Sequence, residues 1–202
     1  MKSIFKRMVR LSVRVQAFQD LAIYCYEIMS ARSHGWQRTH PFDLANGVST
    51  SGVLPGYLIK PTDPFDAPTT SYGAAQPSIV RTALNQVPRQ HYRFLDIGCG
   101  KGRPALIATE FDFLAIVGIE MSPALARIAR RNADVFAQAH PDRPRIRVVT
   151  GDALTHDLDQ TNVVFLYNSL GQALTQRLVI NIEQSLYVLN LVRARMFRVV
   201  SF

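Results

Sequence analysis

The second half of the sequence predicts an α/β fold, in which helices cover both faces of a parallel sheet. From residue 93 onward, short apolar runs alternate with longer segments whose apolar residues recur at helical spacing. The predicted strands are Arg93–Ile97, Ala115–Ile119, Ile146–Thr150, Val163–Tyr167 and Met196–Phe202. Their mostly apolar composition is typical of strands that are buried on both faces, which is where parallel sheets occur.

Helices are predicted between these strands and just before the first of them. The predicted ranges are Gln76–Gln86, Pro104–Glu110, Pro123–Ala139 and Gln172–Leu189. Ser122 and Pro123 are typical of a helix start, with the serine as the N-cap and the proline in the first turn.

Residues 1–40 differ from the rest of the chain in charge. They carry a surplus of five positive charges out of the formal net charge of +8. Residues 3–30 contain no Gly or Pro, and apolar residues recur there at Ile4, Met8, Leu11, Val15, Phe18, Ala22, Cys25 and Met29. We expect 1–40 to be a basic amphipathic helical extension. It packs on its own domain or a partner, lies on a membrane surface, or is an organellar presequence.

Residues 41–75 are predicted to form an irregular connector. Prolines and glycines interrupt every helical or strand pattern there, at Pro41, Gly47, Gly52, Pro55, Gly56, Pro61, Pro64, Pro68 and Gly73. A long connector is unusual in a compact domain unless it covers a site. We therefore expect this segment, with Tyr57 and Tyr72, to form a lid or part of an acceptor pocket.

Composition excludes several classes of protein. The two cysteines, Cys25 and Cys99, cannot staple a small scaffold and fit a reducing, cytoplasmic compartment. The five histidines show no metal-binding spacing, so no metal site is predicted. No apolar run is long enough for a membrane span. Basic residues are not interleaved with aromatic ones, as they are in single-strand binders.

The segment Phe94–Gly102, FLDIGCGKG, is the strongest candidate for a ligand-binding loop. A buried strand leads into Gly98, Gly100 and Gly102, where glycine permits positive φ and close approach of a ligand. Open α/β sheets bind ligands at the carboxyl ends of their strands. The spacing is not the GxGxxG of dinucleotide-binding loops, because residue 103 is arginine.

Carboxylates lie at the carboxyl ends of three successive predicted strands. Asp96 suits a cationic or amino-bearing ligand better than a pyrophosphate, which it would repel. Glu120 is placed to accept hydrogen bonds from a ribose diol, and Asp152 to accept one from an adenine amino group. Together they indicate a ligand with an ammonium or sulfonium group, a diol and an exocyclic amine.

In order and spacing, four segments resemble the motifs of class I S-adenosylmethionine (SAM)-dependent methyltransferases: Phe94–Gly102, Gly118–Ser122, Gly151–Ala153 and Val163–Gly171. DIGCGKGR, GIEMSPALARIARRN and FLYNSLG are similar to bacterial methyltransferase-domain proteins of unassigned substrate. The resemblance implies a Rossmann-like sheet of five strands in the order 3-2-1-4-5, and SAM as the cofactor.

The resemblance also implies a set of cofactor-binding residues. They are Asp96, Gly98, Cys99, Gly100, Glu120, Met121, Asp152 and Ala153. Asp96 and the glycines would line the methionine and ribose part of SAM, and Glu120 would bind the ribose hydroxyls. Asp152 and Met121 would lie beside the adenine. Cys99 is interpreted as a small buried spacer rather than a nucleophile.

Simpler interpretations stay open for several of these residues. Asp96 could be a cap or turn carboxylate, and Asp152 a solvated loop acid. Lys101 and Arg103 are either surface charges or groups that face an acidic substrate.

Tyr167 and Asn168 are the predicted catalytic residues, and their role would be to orient the methyl acceptor. The sulfonium of SAM is already activated, so catalysis mainly requires in-line alignment and exclusion of water. The alternative is that Tyr167 is a core residue and Asn168 a turn former. Ser169 and Leu170 replace the prolines of the NPPY signature, which disfavours adenine or glutamine as the acceptor. We expect a small-molecule acceptor before protein or RNA.

Two further expectations concern the ends of the predicted domain. We expect deletion of 42–70 to abolish turnover more severely than SAM binding. Full class I domains have seven strands, and here the fifth, Met196–Phe202, would be an edge open to self-association.

The function predicted from these motifs is methyl transfer from SAM. The alternative is a catalytically impaired SAM-binding or membrane-surface module.

Overall fold

The structure is a computed structural model of the 202-residue chain. It describes residues 16–33, 39–59, 71–87, 90–156, 161–167, 175–182 and 198–201. The predictions for Asn168, for residues 1–15 and for the ends of the helix predicted at 172–189 lie outside these residues.

The N-terminal part contains short elements. In chain order they are α1 (Gln16–Ser33), α2 (Pro41–Asn46), β1 (Val53–Leu54), α3 (Gly56–Ile59) and β2 (Tyr72–Gly73). Strands β1 and β2 pair antiparallel. Short regular elements thus alternate with irregular backbone in the described part of 41–75, which is less irregular than predicted.

Proline and glycine bound helix α2 rather than prevent it. Pro41 occupies its first turn, and the His40 ring accepts a hydrogen bond from the backbone N–H of Phe42 at 3.0 Å. Gly47 closes the helix with a left-handed φ of 66°. Proline in the first turn and glycine after the last turn favour a helix boundary. Prolines and glycines therefore predicted more irregular backbone in 41–75 than the structure contains.

The remaining elements form the central α/β layer. They are α4 (Pro77–Asn85), β3 (Arg93–Ile97), α5 (Arg103–Ala108), β4 (Ala115–Glu120), α6 (Pro123–Ala139), β5 (Ile146–Thr150), β6 (Val163–Leu166), α7 (175–182) and β7 (Arg198–Ser201). Within the described residues five parallel strands form one sheet in the order β5-β4-β3-β6-β7. Counted from Arg93, this is the predicted 3-2-1-4-5 order.

Alternate residues of the central strands enter two different cores, because successive side chains of a strand point to opposite faces. Phe94, Ile116 and Phe165 pack on one face with residues of α4, α5 and α6. Leu95, Ile97, Ile119, Val164 and Leu166 pack on the other face with Leu178 and Ile182 of α7. Helices therefore cover both faces, as the apolar strands predict.

A third core joins the N-terminal elements to α6. Ile23 of α1, Leu54, Leu58 and Tyr72 pack with Ala124 and Leu125 of α6. Helix α1 is oriented differently from the predicted stripe, because Cys25 is exposed and Met29 is 68% exposed. None of the described helices is long and apolar enough to cross a membrane.

Candidate functional site

The glycine loop joins β3 to α5 by a tight turn. Gly98, Gly100 and Gly102 have φ values of 66°, 56° and 92°, a region that residues with a Cβ rarely occupy. The N–H of Gly102 donates to the carbonyl oxygen of Cys99 at 2.8 Å. The spacing of the glycines thus follows from backbone geometry, and it leaves the loop at the carboxyl edge of the parallel sheet.

Glu120 ties this loop to the end of β4. Its Oε2 accepts a hydrogen bond from the N–H of Gly100 at 2.9 Å, and its Oε1 accepts one from the N–H of Ser122 at 2.8 Å. Burial raises the pKa of Glu120, and these two amides act in the opposite direction. Each carboxylate oxygen has a second lone pair, so Glu120 can still accept hydrogen bonds from a ligand.

Asp96 lies one strand away and is less well satisfied. Its side chain is buried, and its Oδ2 has no hydrogen-bond partner in the structure. Burial raises the pKa of Asp96 to about 8, with a smaller lowering by the backbone amide of Ala105 and a further rise from Glu120. A buried polar atom without a partner costs free energy. A ligand with a cationic donor at this edge would remove that cost.

The end of β5 brings Asp152 and Ala153 to the same edge, because β4 and β5 are parallel and Glu120 pairs with Thr150. The Oδ1 of Asp152 accepts a hydrogen bond from the N–H of Leu154 at 2.9 Å, so this carboxylate also shapes its own turn. Ala153 is buried in the core under α7. Met121 is 41% exposed at the rim of the edge.

Cys99 faces the interior of the domain. A Cβ added at Gly118 of β4 would lie 2.9 Å from the Cys99 Sγ, so the thiol occupies the space that this glycine leaves. Cys99 is buried, as its interpretation as a spacer requires. Burial raises the pKa of its thiol, and this disfavours the nucleophilic thiolate.

The predicted catalytic pair is only half described. Tyr167 is partly buried and packs against the core that contains Phe94 and Phe165. This packing agrees with the alternative in which Tyr167 is a core residue. Asn168 lies outside the described residues.

Lys101 and Arg103 are not surface charges. Their side chains are 1% and 3% exposed, and they bond to residues of the N-terminal elements. Asp43 and Thr50, which bind these cations, are not predicted from the sequence, and neither is Asn132. No motif or periodicity marks these residues, because their contacts join distant parts of the chain.

A parallel sheet with a glycine loop and carboxylates at the carboxyl ends of its strands defines a nucleotide-binding α/β domain. The family described as "Methyltransferase domain" matches residues 95–195, half of the chain, and the protein belongs to this family. It is a methyltransferase whose cofactor is SAM.

Solved structures are similar to just over half of the chain. No curated protein matches it. An RNA methyltransferase from Salinibacter ruber, solved with S-adenosyl-L-homocysteine (SAH), is 26% identical over 55% of this chain and 70% of its own, with a TM-score of 0.48. A putative SAM-dependent methyltransferase from Methanococcus maripaludis is 20% identical over 62% of this chain and 54% of its own, with a TM-score of 0.43. The [4+2]-cyclase SpnF is 23% identical over 52% of this chain and 39% of its own, with a TM-score of 0.45. The chain thus spans only part of the length of these proteins.

Proposed function

We propose that this protein transfers a methyl group from SAM to a small-molecule acceptor by in-line displacement, with the cofactor held at the carboxyl edge of β3, β4 and β5. The observation that carries the proposal is the buried, unpartnered Oδ2 of Asp96 beside a glycine loop. When bound, SAM supplies an activated methyl group on a sulfonium.

The residues at this edge fit the cofactor in charge and in hydrogen-bonding capacity. Asp96 would accept from a cationic donor, and Gly98 and Gly100 would permit close approach to the backbone. Glu120 would accept from the ribose diol through its remaining lone pairs. Asp152, Ala153 and Met121 would form the adenine end of the site.

The acceptor side rests on Tyr167 and Asn168, which follow β6. Their role would be to orient the acceptor, because an activated methyl donor requires alignment more than proton transfer. The absence of the two prolines in Asn168-Ser169-Leu170 supports a small molecule over a nucleobase. The free Cys25 and Cys99 support a cytoplasmic location.

The decisive experiment is isothermal titration of the purified chain with SAH. We expect micromolar binding by the wild type, and loss of binding in Asp96→Ala and Glu120→Ala. Glu110→Ala is the matched control, because Glu110 pairs with Arg81 on the surface and away from the loop. A folded wild type that does not bind SAH contradicts the proposal, and binding without turnover on any acceptor screened favours an impaired SAM-binding module.

A second candidate function is attachment to an anionic membrane surface through α1. Leu21, Tyr24 and Ile28 are 55%, 62% and 36% exposed, and their spacing places them on one face of the helix. Residues 1–15 contain five basic residues and no acidic one. Exposed apolar groups together with nearby cations favour an anionic interface.

Cosedimentation with vesicles tests this second function. At low salt we expect the wild type to sediment with anionic vesicles and not with neutral ones, and Leu21→Ser/Tyr24→Ser to remain in solution. Leu44→Ser is the control, because Leu44 is 71% exposed on α2. Equal sedimentation of all three proteins would rule out this use of the α1 face.

Self-association through the outer edge of β7 is a further prediction. Among the described strands only β6 pairs with β7, and an unpaired edge can accept another strand. Sedimentation velocity of the purified chain at several concentrations would detect it.

A further inference from the structure

Residues from the N-terminal part of the chain contact the glycine loop and the two cations beside Gly102. We call residues 39–59 and 71–75 the N-terminal clasp. The ring of Tyr72, in β2, lies so close to Gly100 that an added Cβ there would be 2.3 Å from its Cε2. The Tyr72 hydroxyl donates to the carbonyl oxygen of Thr50 at 2.6 Å. Strand β2 therefore packs against the loop through the Tyr72 ring, and the hydrogen bond to Thr50 fixes the position of this ring.

The two cations that flank Gly102 reach into the clasp. Lys101 Nζ pairs with Glu27 of α1 and donates to the carbonyl oxygen of Ser51 at 2.8 Å. It also lies 5.2 Å from the centre of the Tyr72 ring, within the range of a cation–π contact. Loop and clasp are thus joined on one side by a buried ammonium group, whose partners among the described residues are Glu27, Ser51 and Tyr72.

Arg103 makes the corresponding contacts on the other side. Its Nε donates to Thr50 Oγ1 at 2.7 Å, and its Nη2 lies 3.5 Å from the Oδ1 of Asp43. Asp43 is itself buried, and its Oδ2 accepts from the N–H groups of Thr50 and Ser51 at 2.7 Å each. Removing one partner of a buried ion pair leaves an uncompensated charge, so Arg103 and Asp43 depend on each other.

Asn132 of α6 completes the connection. Its Nδ2 donates to the carbonyl oxygen of Lys101 at 2.9 Å and to that of Ser49 at 3.1 Å, and its Oδ1 accepts from the N–H of Ser49 at 2.9 Å. One side-chain amide therefore binds the loop backbone and the clasp backbone together.

We infer that Asp43, Tyr72 and Asn132 are positioning residues that hold the glycine loop in the conformation that binds the cofactor. This inference rests on the proposed function. Its consequence is that cofactor affinity depends on residues that act through the loop. Glycine-rich backbone loses much conformational entropy when it is ordered. A loop that is already ordered by folding does not bear this cost when the ligand binds, and this raises affinity.

The first test measures hydrogen exchange in the free chain. The amides of Gly100 and Gly102 donate to Glu120 Oε2 and to the Cys99 carbonyl oxygen, so their exchange reports loop opening. We expect Asp43→Asn to speed their exchange about tenfold and to leave the β3 amides unchanged. Tyr72→Phe, which loses only the hydroxyl contact, is the second variant if Asp43→Asn does not fold. Unchanged loop exchange in a folded variant overturns the inference.

The second test is titration with SAH, at a temperature where every variant is fully folded. We expect about tenfold weaker binding in the same variants. Phe113→Leu is the control, because Phe113 packs on Phe94 in the core at the opposite edge of the sheet. Its affinity should equal that of the wild type even though its stability falls. Equal weakening in the control would show a general effect of stability and overturn the positioning role. A wild type that does not bind SAH contradicts the proposed function, and loop exchange then decides the positioning role by itself.

Discussion

Asp96 combines burial with an unsatisfied carboxyl oxygen, and this couples its ionisation to the stability of the fold. Burial raises its pKa to about 8, whereas the pKa of an aspartate in an unfolded chain is about 3.9. Between these values the folded chain holds a proton that the unfolded chain has lost. The contribution of Asp96 to the free energy of unfolding is therefore full below about pH 4 and is lost as the pH rises toward about 8.

The change Asp96→Asn removes this titration. We expect the variant to gain stability relative to the wild type as the pH rises from about 5 to about 8, by at least about 1.4 kcal/mol, the equivalent of one unit of pKa. Urea denaturation at both pH values measures the difference. Glu110→Gln, at an exposed carboxylate, should show no such gain. A difference between Asp96→Asn and the wild type that does not change with pH would disprove the assignment.

Gly100 is constrained by its neighbour as well as by its own backbone. Gly100→Ala places a Cβ on a residue with φ of 56° and against the Tyr72 ring. We expect a loss of about 2 kcal/mol in the free energy of unfolding, from backbone strain and overpacking together. In the double variant Gly100→Ala/Tyr72→Leu the loss should be smaller than the sum of the two single losses. Additive losses, measured by urea denaturation, would show that the ring does not limit the space at Gly100.

At the scale of elements, the clasp behaves as a structural part of the domain more than as a lid. It supplies Leu54 and Leu58 to the core shared with α1 and α6, and Phe42 to the core on one face of the sheet. It also supplies the groups that bind Lys101 and Arg103. A segment that contributes to two cores cannot open without exposing them.

Deletion of 42–70 is therefore expected to abolish SAH binding together with turnover. The sequence alone favoured a more selective loss of turnover, but each buried leucine or phenylalanine that is removed costs about 2–5 kcal/mol, and a domain has only about 5–15 kcal/mol in total. Circular dichroism and SAH titration of the deletion product test this. A folded product that binds SAH with wild-type affinity would restore the lid interpretation.

The sequence predicted correctly the elements that are marked by an apolar run or by capping residues. Strands β3 and β5 have the predicted bounds, because each is a short run between turn residues. Helix α6 was marked by Ser122 and Pro123, and the Ser122 hydroxyl accepts from the N–H of Leu125. The short elements of the clasp were not predicted, since two-residue strands and a four-residue helix carry too few residues to show a period.

At the scale of the whole molecule, the third core makes the N-terminal elements and the sheet one cooperative unit. We expect one unfolding transition by calorimetry, because Ile23 and Leu54 share one core with Ala124 and Leu125 of α6. SAH at about 100 times its dissociation constant should stabilise this unit by about 2.7 kcal/mol. Two transitions, of which SAH shifts only one, would show that the N-terminal elements fold independently.

The candidate site was predictable only in part, for a reason that also concerns the whole molecule. Asp96 and Glu120 stand in a local motif, so their place at the carboxyl edge follows from the strand pattern alone. The contacts of Arg103 with Thr50, and of Asn132 with Ser49, join residues that are 53 and 83 positions apart. Such contacts depend on the tertiary fold, and a single sequence carries no local trace of them.

The two thiols of the chain differ in their chemical accessibility. Cys25 is exposed on α1, whereas Cys99 is enclosed against Gly118. A maleimide dye should therefore attach to Cys25 alone while the chain is folded, and no cysteine needs to be introduced or removed. Cys25 lies about one helical turn from both Leu21 and Ile28, so the emission of an environment-sensitive dye there would report directly whether this helix enters a lipid interface.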